Sequence, residues 1–392
     1  MKRLRLLKQK GFAHFELLLV MVVILAIAGA GWYVFNKSKG KNSVDQPSST
    51  ILQKEEIKPE LTYKGAYNGK LYLTGEKVGD SAPWEVWIRS LDRNGIETAI
   101  SYFGIEPLEG DHEEEEQEED VNSIVDLVKD EPGRFVPFYS TGIGGESEGE
   151  IAGSKLTGYY KSGYDLLTKL GGKNFVKGIG EVETQDWPMP HDDKRVLQLF
   201  SFATERKLNV MYHVKTGQSA AVGRIAAQYP NTIFLIHMFP NDYDIERNNI
   251  IAQMKKHKNI IYTLDADHLM FDTSGGFGIG LLYKYENVLT GDDLDPDPSS
   301  IKDAAKKFNA NFDEREKVLR KEALSRYGSL VKALPDQVTV GTELNLRYGY
   351  EQKSFDRIIK HLRFFIAGFD SKTQIKLAYK NAQKAFGKGV SL

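Results

Sequence analysis

Four polar side chains in this sequence stand at the ends of short apolar runs, where a buried strand would deliver them to one place. Two are acids and two are histidines: Glu181, His213, His237 and Glu343. Carboxylate oxygens and imidazole nitrogens are donors suited to zinc, manganese or iron. If the four met, they would bind a divalent cation that can acidify a water molecule.

A second group of such side chains follows the seventh apolar run. Asp265, Asp267 and His268 lie within four consecutive residues there. They could add ligands to the same cation, or they could cap the end of the strand and its loop. The chain has no cysteine, which excludes a thiolate zinc site, a cysteine nucleophile and a disulfide framework.

Strands alternating with helices would position these residues. Between the apolar runs, the segments around Leu199 and Ile225 repeat apolar residues at helical spacing. Eight strands with helical crossovers favour a (β/α)₈ TIM-like barrel, in which reactive groups lie at the carboxyl ends of the strands; an open doubly wound sheet is the alternative. The eight predicted strands are residues 70–74, 98–102, 135–139, 177–182, 209–213, 232–237, 260–264 and 338–341.

The body from residue 61 resembles the amidohydrolase superfamily, particularly its amidohydrolase-related barrels. The resemblance rests on the segments FVKGIGE at 175–181, LNVMYHV at 208–214, the strand ending at His237, Gly341-Thr342 before an acid, and NAQKAFG at 381–387. It implies a hydrolase or decarboxylase with His213 and His237 as metal ligands and Glu181 at the bridging-carboxylate position. It also implies that the acid on the eighth strand, here Glu343 in place of the usual aspartate, moves a proton.

The first strand departs from the family pattern. The family carries Asp-x-His-x-His there, whereas the best register in this chain is Asn68-Gly69-Lys70-Leu71-Tyr72, and no histidine lies between residues 15 and 111. An ammonium at Lys70 would repel a cation, although a desolvated and neutral lysine could ligate it or act as a base.

Three hypotheses follow. In the first, Glu181, His213 and His237 hold one divalent cation, with zinc foremost, and a water attacks a carbonyl or ester of a small molecule while Glu343 moves the proton. In the second, Lys70 replaces the cation and forms a cluster with Glu181 and Glu343 that binds an anionic ligand without turnover. In the third, the barrel is only a scaffold for assembly.

The N-terminal region indicates a membrane anchor. Five basic residues precede residues 15–35, whose only ionisable group is Glu16. At about 1.5 Å per helical residue, that stretch covers about 30 Å, the thickness of a hydrocarbon core. The charge distribution favours a cytoplasmic N-terminus, an exported body and a single-pass protein of the inner membrane.

Residues 11–20, GFAHFELLLV, closely resemble the N-terminal signal of type IV pilins and pseudopilins. The resemblance implies cleavage after Gly11 by a prepilin peptidase, methylation of the new N-terminus at Phe12, and a role for Glu16 in association with pilin-like subunits. An uncleaved anchor is the alternative. The predicted organisation is a leader at 1–11, a membrane helix at 12–35, a flexible linker at 36–60 and a barrel at 61–392.

Two segments of the barrel exceed ordinary loops. Residues 106–120 carry ten carboxylates and are expected to form a solvated acidic loop, and residues 271–310 form an insertion after the seventh strand. Lysine and arginine total 52 against 54 acidic residues, a net charge of −2. Because a nucleic-acid-binding protein normally presents a basic face, that class of partner is not expected.

Overall fold

The computed structural model describes residues 59–77, 84–105, 107, 114–271, 281, 298–344 and 351–391. Contacts divide the chain into Met1–Glu55 and Glu56–Leu392, and every element below belongs to the second unit. Gly11, Phe12 and Glu16 therefore lie outside the described residues, together with the predicted membrane helix. In the part of the chain that is described, no helix has the length and apolar character needed to cross a bilayer.

Eight parallel strands are hydrogen-bonded to one another in chain order, from β1 to β8. This order is the one expected when each strand is followed by a helical crossover of the same hand. The strands are β1 Leu71–Lys77, β2 Ile96–Gly104, β3 Phe135–Ser140, β4 Gly178–Val182, β5 Asn209–His213, β6 Phe234–His237, β7 Ile260–Leu264 and β8 Val338–Val340.

Helices cover the outside of the sheet. The predicted apolar faces are buried, with Leu199 and Phe200 in one helix and Val222 and Ile225 in the next. The helices are α1 Trp84–Arg93, α2 Glu114–Asp130, α3 Gly145–Glu150, α4 Ser154–Gly171, α5 Lys194–Glu205, α6 Ser219–Gln228, α7 Pro240–Lys256, α8 Ala266–Leu269, α9 Pro298–Ala333, α10 Gln352–Ala367, α11 Ser371–Ile375 and α12 Asn381–Phe386, with a π-helical turn at Lys376–Lys380 between the last two.

The last strand returns to the first. The Glu343 amide donates to the carbonyl oxygen of Gly75 over 2.7 Å, and the Thr74 hydroxyl donates to the carbonyl oxygen of Val340 over 3.1 Å. A Cβ at Gly341 would lie 1.7 Å from the carbonyl oxygen of Thr74, so only glycine permits this approach. The sheet is a nearly closed barrel, and the prediction of eight parallel strands with helices is confirmed over the open-sheet alternative.

The interior of the barrel is packed with side chains. One buried cluster contains Tyr102, Phe138, Met211, Leu235 and Phe386 of α12. Within it, the rings of Phe138 and Phe386 meet edge to face. A filled interior leaves the rim at the carboxyl ends of the strands as the place where polar residues can meet.

Several boundaries differ from those predicted from the sequence, and three of the differences exceed a shift at a strand end. The first strand begins at Leu71 and runs on to Lys77. Residues 114–120 of the predicted acidic loop form the first turns of α2. Within the predicted insertion, α9 already begins at Pro298, a residue whose fixed φ suits the start of a helix.

Candidate metal centre

Glu181 reaches the rim from the end of β4. The residue before it, Gly180, has a φ of +128°, and a Cβ there would lie 2.4 Å from the carbonyl oxygen of Met211 on β5. A side chain at position 180 would therefore collide with backbone that cannot move aside. Glycine lets β4 approach β5 closely enough to bring the Glu181 carboxylate beside the histidines of the next two strands.

His213 and His237 end neighbouring parallel strands and are paired in register. Their ring centroids are 4.2 Å apart, and both residues are buried. Glu181 Oε1 lies 3.4 Å from His213 Nδ1 and is hydrogen-bonded to His237 Nε2. Each of the three side chains offers a ligand atom within 4.8 Å of the others, so they form a group that could hold one metal ion.

Asp265 and Glu343 lie on the other side of the His237 ring. His237 Nδ1 is 3.1 Å from Asp265 Oδ2 and 2.7 Å from Glu343 Oε2. These three residues form a second group with the spacing of metal ligands. The two groups share His237, whose ring stands between Glu181 on one side and the two acids on the other.

The Asp265 carboxylate is itself held by α8. Its Oδ1 accepts a hydrogen bond from the His268 amide over 3.2 Å and lies 2.5 Å from His268 Nδ1. Asp265 and His268 are therefore brought into contact with the predicted centre. Asp267 lies on α8 between them, and its side chain is outside the described residues.

Glu343 occupies an unusual backbone conformation. Its φ is +48°, in the left-handed region, which costs a residue other than glycine or asparagine about 1 kcal/mol or more. The residue is held there because its amide is tied to Gly75. This conformation turns the Glu343 carboxylate toward His237, and strain of this kind is typical of functional sites.

Burial and neighbouring charges divide the roles of the two histidines. Burial, together with the nearby His237, lowers the pKa of His213 to about 4. Burial alone would also lower the pKa of His237, but the carboxylates of Glu343, Glu181 and Asp265 outweigh it and raise that pKa well above its ordinary value. His213 is therefore a neutral imidazole near pH 7, the form that binds metals.

The two acids beside His237 differ in the same way. Burial and the charge of Glu181 raise the pKa of Glu343 well above its ordinary value. Burial acts on Asp265 as well, but His268 and the hydrogen bond from His237 outweigh it and hold the pKa of Asp265 well below its ordinary range. Asp265 is thus the fixed anion of the pair, and Glu343 is the acid that can carry a proton.

The donors fit a divalent cation. His213 Nε2 is buried and has no hydrogen-bond partner among the described residues, which is costly for a polar atom unless a ligand compensates for it. One carboxylate and two imidazoles, with space for a further ligand, are the typical set of a catalytic zinc site. The cluster of Glu181, His213 and His237 therefore has the chemistry of a metal centre.

Lys70 does not join these residues, and this corrects the predicted register of the first strand. It precedes β1, at the opposite end of the barrel from the rim. Its Nζ pairs with Glu97 Oε2 at 2.8 Å and lies 4.7 Å from the Tyr379 ring centroid. Because β1 starts one residue later than predicted and continues to Lys77, Lys70 cannot replace a cation at the rim.

Glu76 is the residue that the first strand brings to the rim, and it is not among the site residues predicted from the sequence. Its Oε1 accepts from the Thr342 amide over 2.9 Å, and its Oε2 accepts from the Thr342 hydroxyl over 2.5 Å. Burial raises the pKa of Glu76 to about 7. An acid at the end of an apolar run, the same signal that identified Glu181, could have found it had β1 been extended past Gly75.

Phe239 is a second residue that sequence reasoning missed. It follows β6 by two positions, its ring centroid lies 4.2 Å from that of His213, and it is 48% exposed. A large apolar side chain directly after a strand-end histidine was the available signal. Phe239 forms an apolar wall beside His213 at the mouth of the barrel.

Comparisons with known proteins found similarity at the level of structure. No family model matches the chain, and no curated protein matches it. A crystal structure described as a probable 2-pyrone-4,6-dicarboxylic acid hydrolase from Acinetobacter baumannii is 11% identical, with a TM-score of 0.45, covering 81% of this chain and 99% of that one.

Two further solved structures contain metals. An amidohydrolase from Burkholderia multivorans with bound zinc is 10% identical, with a TM-score of 0.42, covering 82% of this chain and all of its own. A dihydroxybenzoic acid decarboxylase from Polaromonas sp. JS666 with bound manganese is 14% identical, with a TM-score of 0.37, covering 81% of this chain and 97% of that one.

Proposed function

We propose that this protein is a metal-dependent hydrolase of the amidohydrolase type that acts on a small molecule. The observation that carries the proposal is the meeting of Glu181, His213 and His237 at one end of the barrel, with ligand atoms within 4.8 Å of one another. Three buried donors of this kind, one of them a neutral histidine, are what a catalytic divalent cation requires.

In this proposal, Glu181, His213 and His237 hold one divalent cation, and zinc is the ion that this donor set favours most. A cation bound there would acidify a water molecule and polarise a carbonyl or ester of the substrate. Asp265 and His268, which lie behind His237, support the site rather than complete it.

Glu343 is proposed as the residue that moves the proton. Its carboxylate lies beside His237 and its side chain is 13% exposed, so it borders both the buried donors and the mouth. In its ionised form, a carboxylate whose pKa is raised by burial is a stronger base, which can accept a proton from a water and return it to a leaving group. Phe239 would exclude water from the apolar side of the substrate.

The alternative of a catalytically inactive binding or assembly module is less well supported. In its charged-cluster form, it needs the Lys70 ammonium beside Glu181 and Glu343. Lys70 instead pairs with Glu97 at the opposite end of the barrel. With Lys70 paired elsewhere, a metal is the simpler counterpart for the acids at the rim.

The proposed setting is a membrane. We place the N-terminus in the cytoplasm and the barrel on the exported side of the inner membrane, with a prepilin peptidase and pilin-like subunits as partners. The support is the sequence of residues 11–35, with Gly11, Phe12 and Glu16 at the positions of the pilin-type signal.

Metal analysis of the full chain tests the proposed centre. The wild-type protein should contain one zinc ion per chain after exposure to zinc and removal of excess, and replacing His213 and His237 by alanine should abolish it. His257→Ala, a substitution at a partly exposed residue outside the cluster, should leave the stoichiometry unchanged. Negligible metal in the wild type, or equal metal in wild type and double variant, would refute the proposal.

A further inference from the structure

We infer that Asp265 and His268 act as a positioning pair for His237, keeping its Nδ1 hydrogen-bonded on their side so that Nε2 faces Glu181 and His213. The inference rests on the proposed metal centre and goes beyond it, because neither residue of the pair is assigned a contact with the cation. A histidine that binds a metal through one nitrogen depends on the partner of the other for its tautomer and ring orientation.

A continuous chain of short contacts supports this assignment. His268 Nδ1 lies 2.5 Å from Asp265 Oδ1, and Asp265 Oδ2 lies 3.1 Å from His237 Nδ1. One carboxylate therefore joins the two imidazoles, using a different oxygen for each. Because a carboxylate oxygen accepts a hydrogen bond, Asp265 Oδ2 favours a hydrogen on His237 Nδ1 and so keeps Nε2 on the side of Glu181.

His268, at the outer end of this series of contacts, is immobilised by packing. His268 is 3% exposed, its Nε2 lies 3.4 Å from the Tyr262 hydroxyl, and its ring centroid is 5.4 Å from that of Tyr327 on α9. The His268 amide also donates to Asp265 Oδ1. Asp265 thus receives two contacts from one residue and cannot rotate away from His237 without breaking both.

Glu343 also contacts His237 Nδ1, but it is better placed to move a proton than to position the ring. Glu343 follows β8, the neighbour of β7. Its side chain is 13% exposed, whereas the Asp265 side chain is 1% exposed and held by α8. Of the two acids facing the same nitrogen, Asp265 is the fixed one. This division leaves Glu343 available for proton movement while Asp265 and His268 maintain the orientation of His237.

Cobalt(II) affinity of the full chain tests the positioning role. His268→Leu should weaken cobalt binding about 10- to 100-fold, the range typical of lost support behind a ligating histidine. His268→Asn should restore affinity to within a few-fold of wild type, because its amide nitrogen stands near the former Nδ1 and can donate to Asp265. The readout is competition with a chromophoric chelator, with the absorption spectrum of bound cobalt recorded for each variant.

His361→Leu is the matched control. His361 is another buried histidine, and its Nε2 donates to the carbonyl oxygen of Leu269 on α8 over 2.7 Å. Its loss should loosen α8 and lower the unfolding temperature while leaving cobalt affinity near the wild-type value. The same comparison shows whether α8 affects the site only through general stability.

Each outcome bears on a separate statement. Wild-type cobalt affinity in His268→Leu, or equal losses in His268→Leu and His361→Leu, would overturn the positioning role while leaving the metal centre standing. No cobalt binding by the wild-type chain would overturn the proposed centre, and the inference with it. Weak binding by His268→Leu with recovery in His268→Asn supports both.

Discussion

Glu148 should make the barrel less stable as the pH rises, and replacing it by glutamine should remove that dependence. The residue lies on α3 and is 2% exposed. Its Oε1 accepts hydrogen bonds from the Thr141 hydroxyl over 2.9 Å and from the Tyr160 hydroxyl over 3.1 Å. Burial outweighs these bonds and raises the pKa of Glu148 from its ordinary value of 4.5 to about 8.

The direction of this pH dependence follows from the different protonation of Glu148 in the folded and unfolded chains. Between pH 4.5 and about 8, folded Glu148 keeps a proton that the unfolded chain has already released. The free energy of unfolding therefore falls as the pH rises through this interval, by up to roughly 1.4 kcal/mol per pH unit. From pH 5 to pH 8, the wild type should lose on the order of 3 kcal/mol relative to Glu148→Gln, whose amide does not titrate.

Urea unfolding of the full chain, followed by the fluorescence of the buried Trp87 and Trp187, measures this difference at the two pH values. The contribution of Glu148 is the change in the gap between wild type and Glu148→Gln, because other titrating groups cancel. Glu150→Gln, at an exposed position on the same helix, should show no such change. A gap between wild type and Glu148→Gln that is the same at pH 5 and pH 8 would refute the reasoning.

Two further predictions concern barrel closure and the N-terminus. Gly341→Ala should lower the free energy of unfolding by about 3 kcal/mol, because its Cβ would press on the Thr74 carbonyl. Gly328→Ala, where a Cβ meets nothing within 4 Å, should instead raise the free energy of unfolding by roughly 0.5–1 kcal/mol. A Gly341→Ala variant as stable as the wild type would contradict the close approach of β8 to β1. Mass spectrometry of the mature protein should find Phe12 at the N-terminus, and a chain that begins with Met1 would exclude cleavage.

The helices and most strands could be predicted because their signals are local. Leu199 and Ile225 repeat with their neighbours at helical spacing, and the apolar runs before His213 and His237 are short and rich in buried residue types. The order of these elements along the chain then restricts the topology to very few choices. The N-terminal signal, from Gly11 to Glu16, remains a prediction.

The first strand shows where local signals fail. The run around Lys70 predicts a strand that ends at Thr74, whereas β1 continues through Gly75 and Glu76. A glycine followed by an acid normally indicates the end of a strand. The burial of Glu76 is made possible by the amide and hydroxyl of Thr342, which is 266 residues away in sequence, and no local pattern contains that information.

The sequence by itself determined which residue types could bind a cation and which strands would deliver them. Only the tertiary structure decided their relations: His237 stands between two sets of acids, Asp265 is held by His268, and Lys70 lies at the far end. The physical reason is that hydrophobic periodicity, and the order of the elements it identifies, can be recognised from residues that are close in sequence. Which side of an imidazole a carboxylate occupies depends instead on the register and closure of all eight strands.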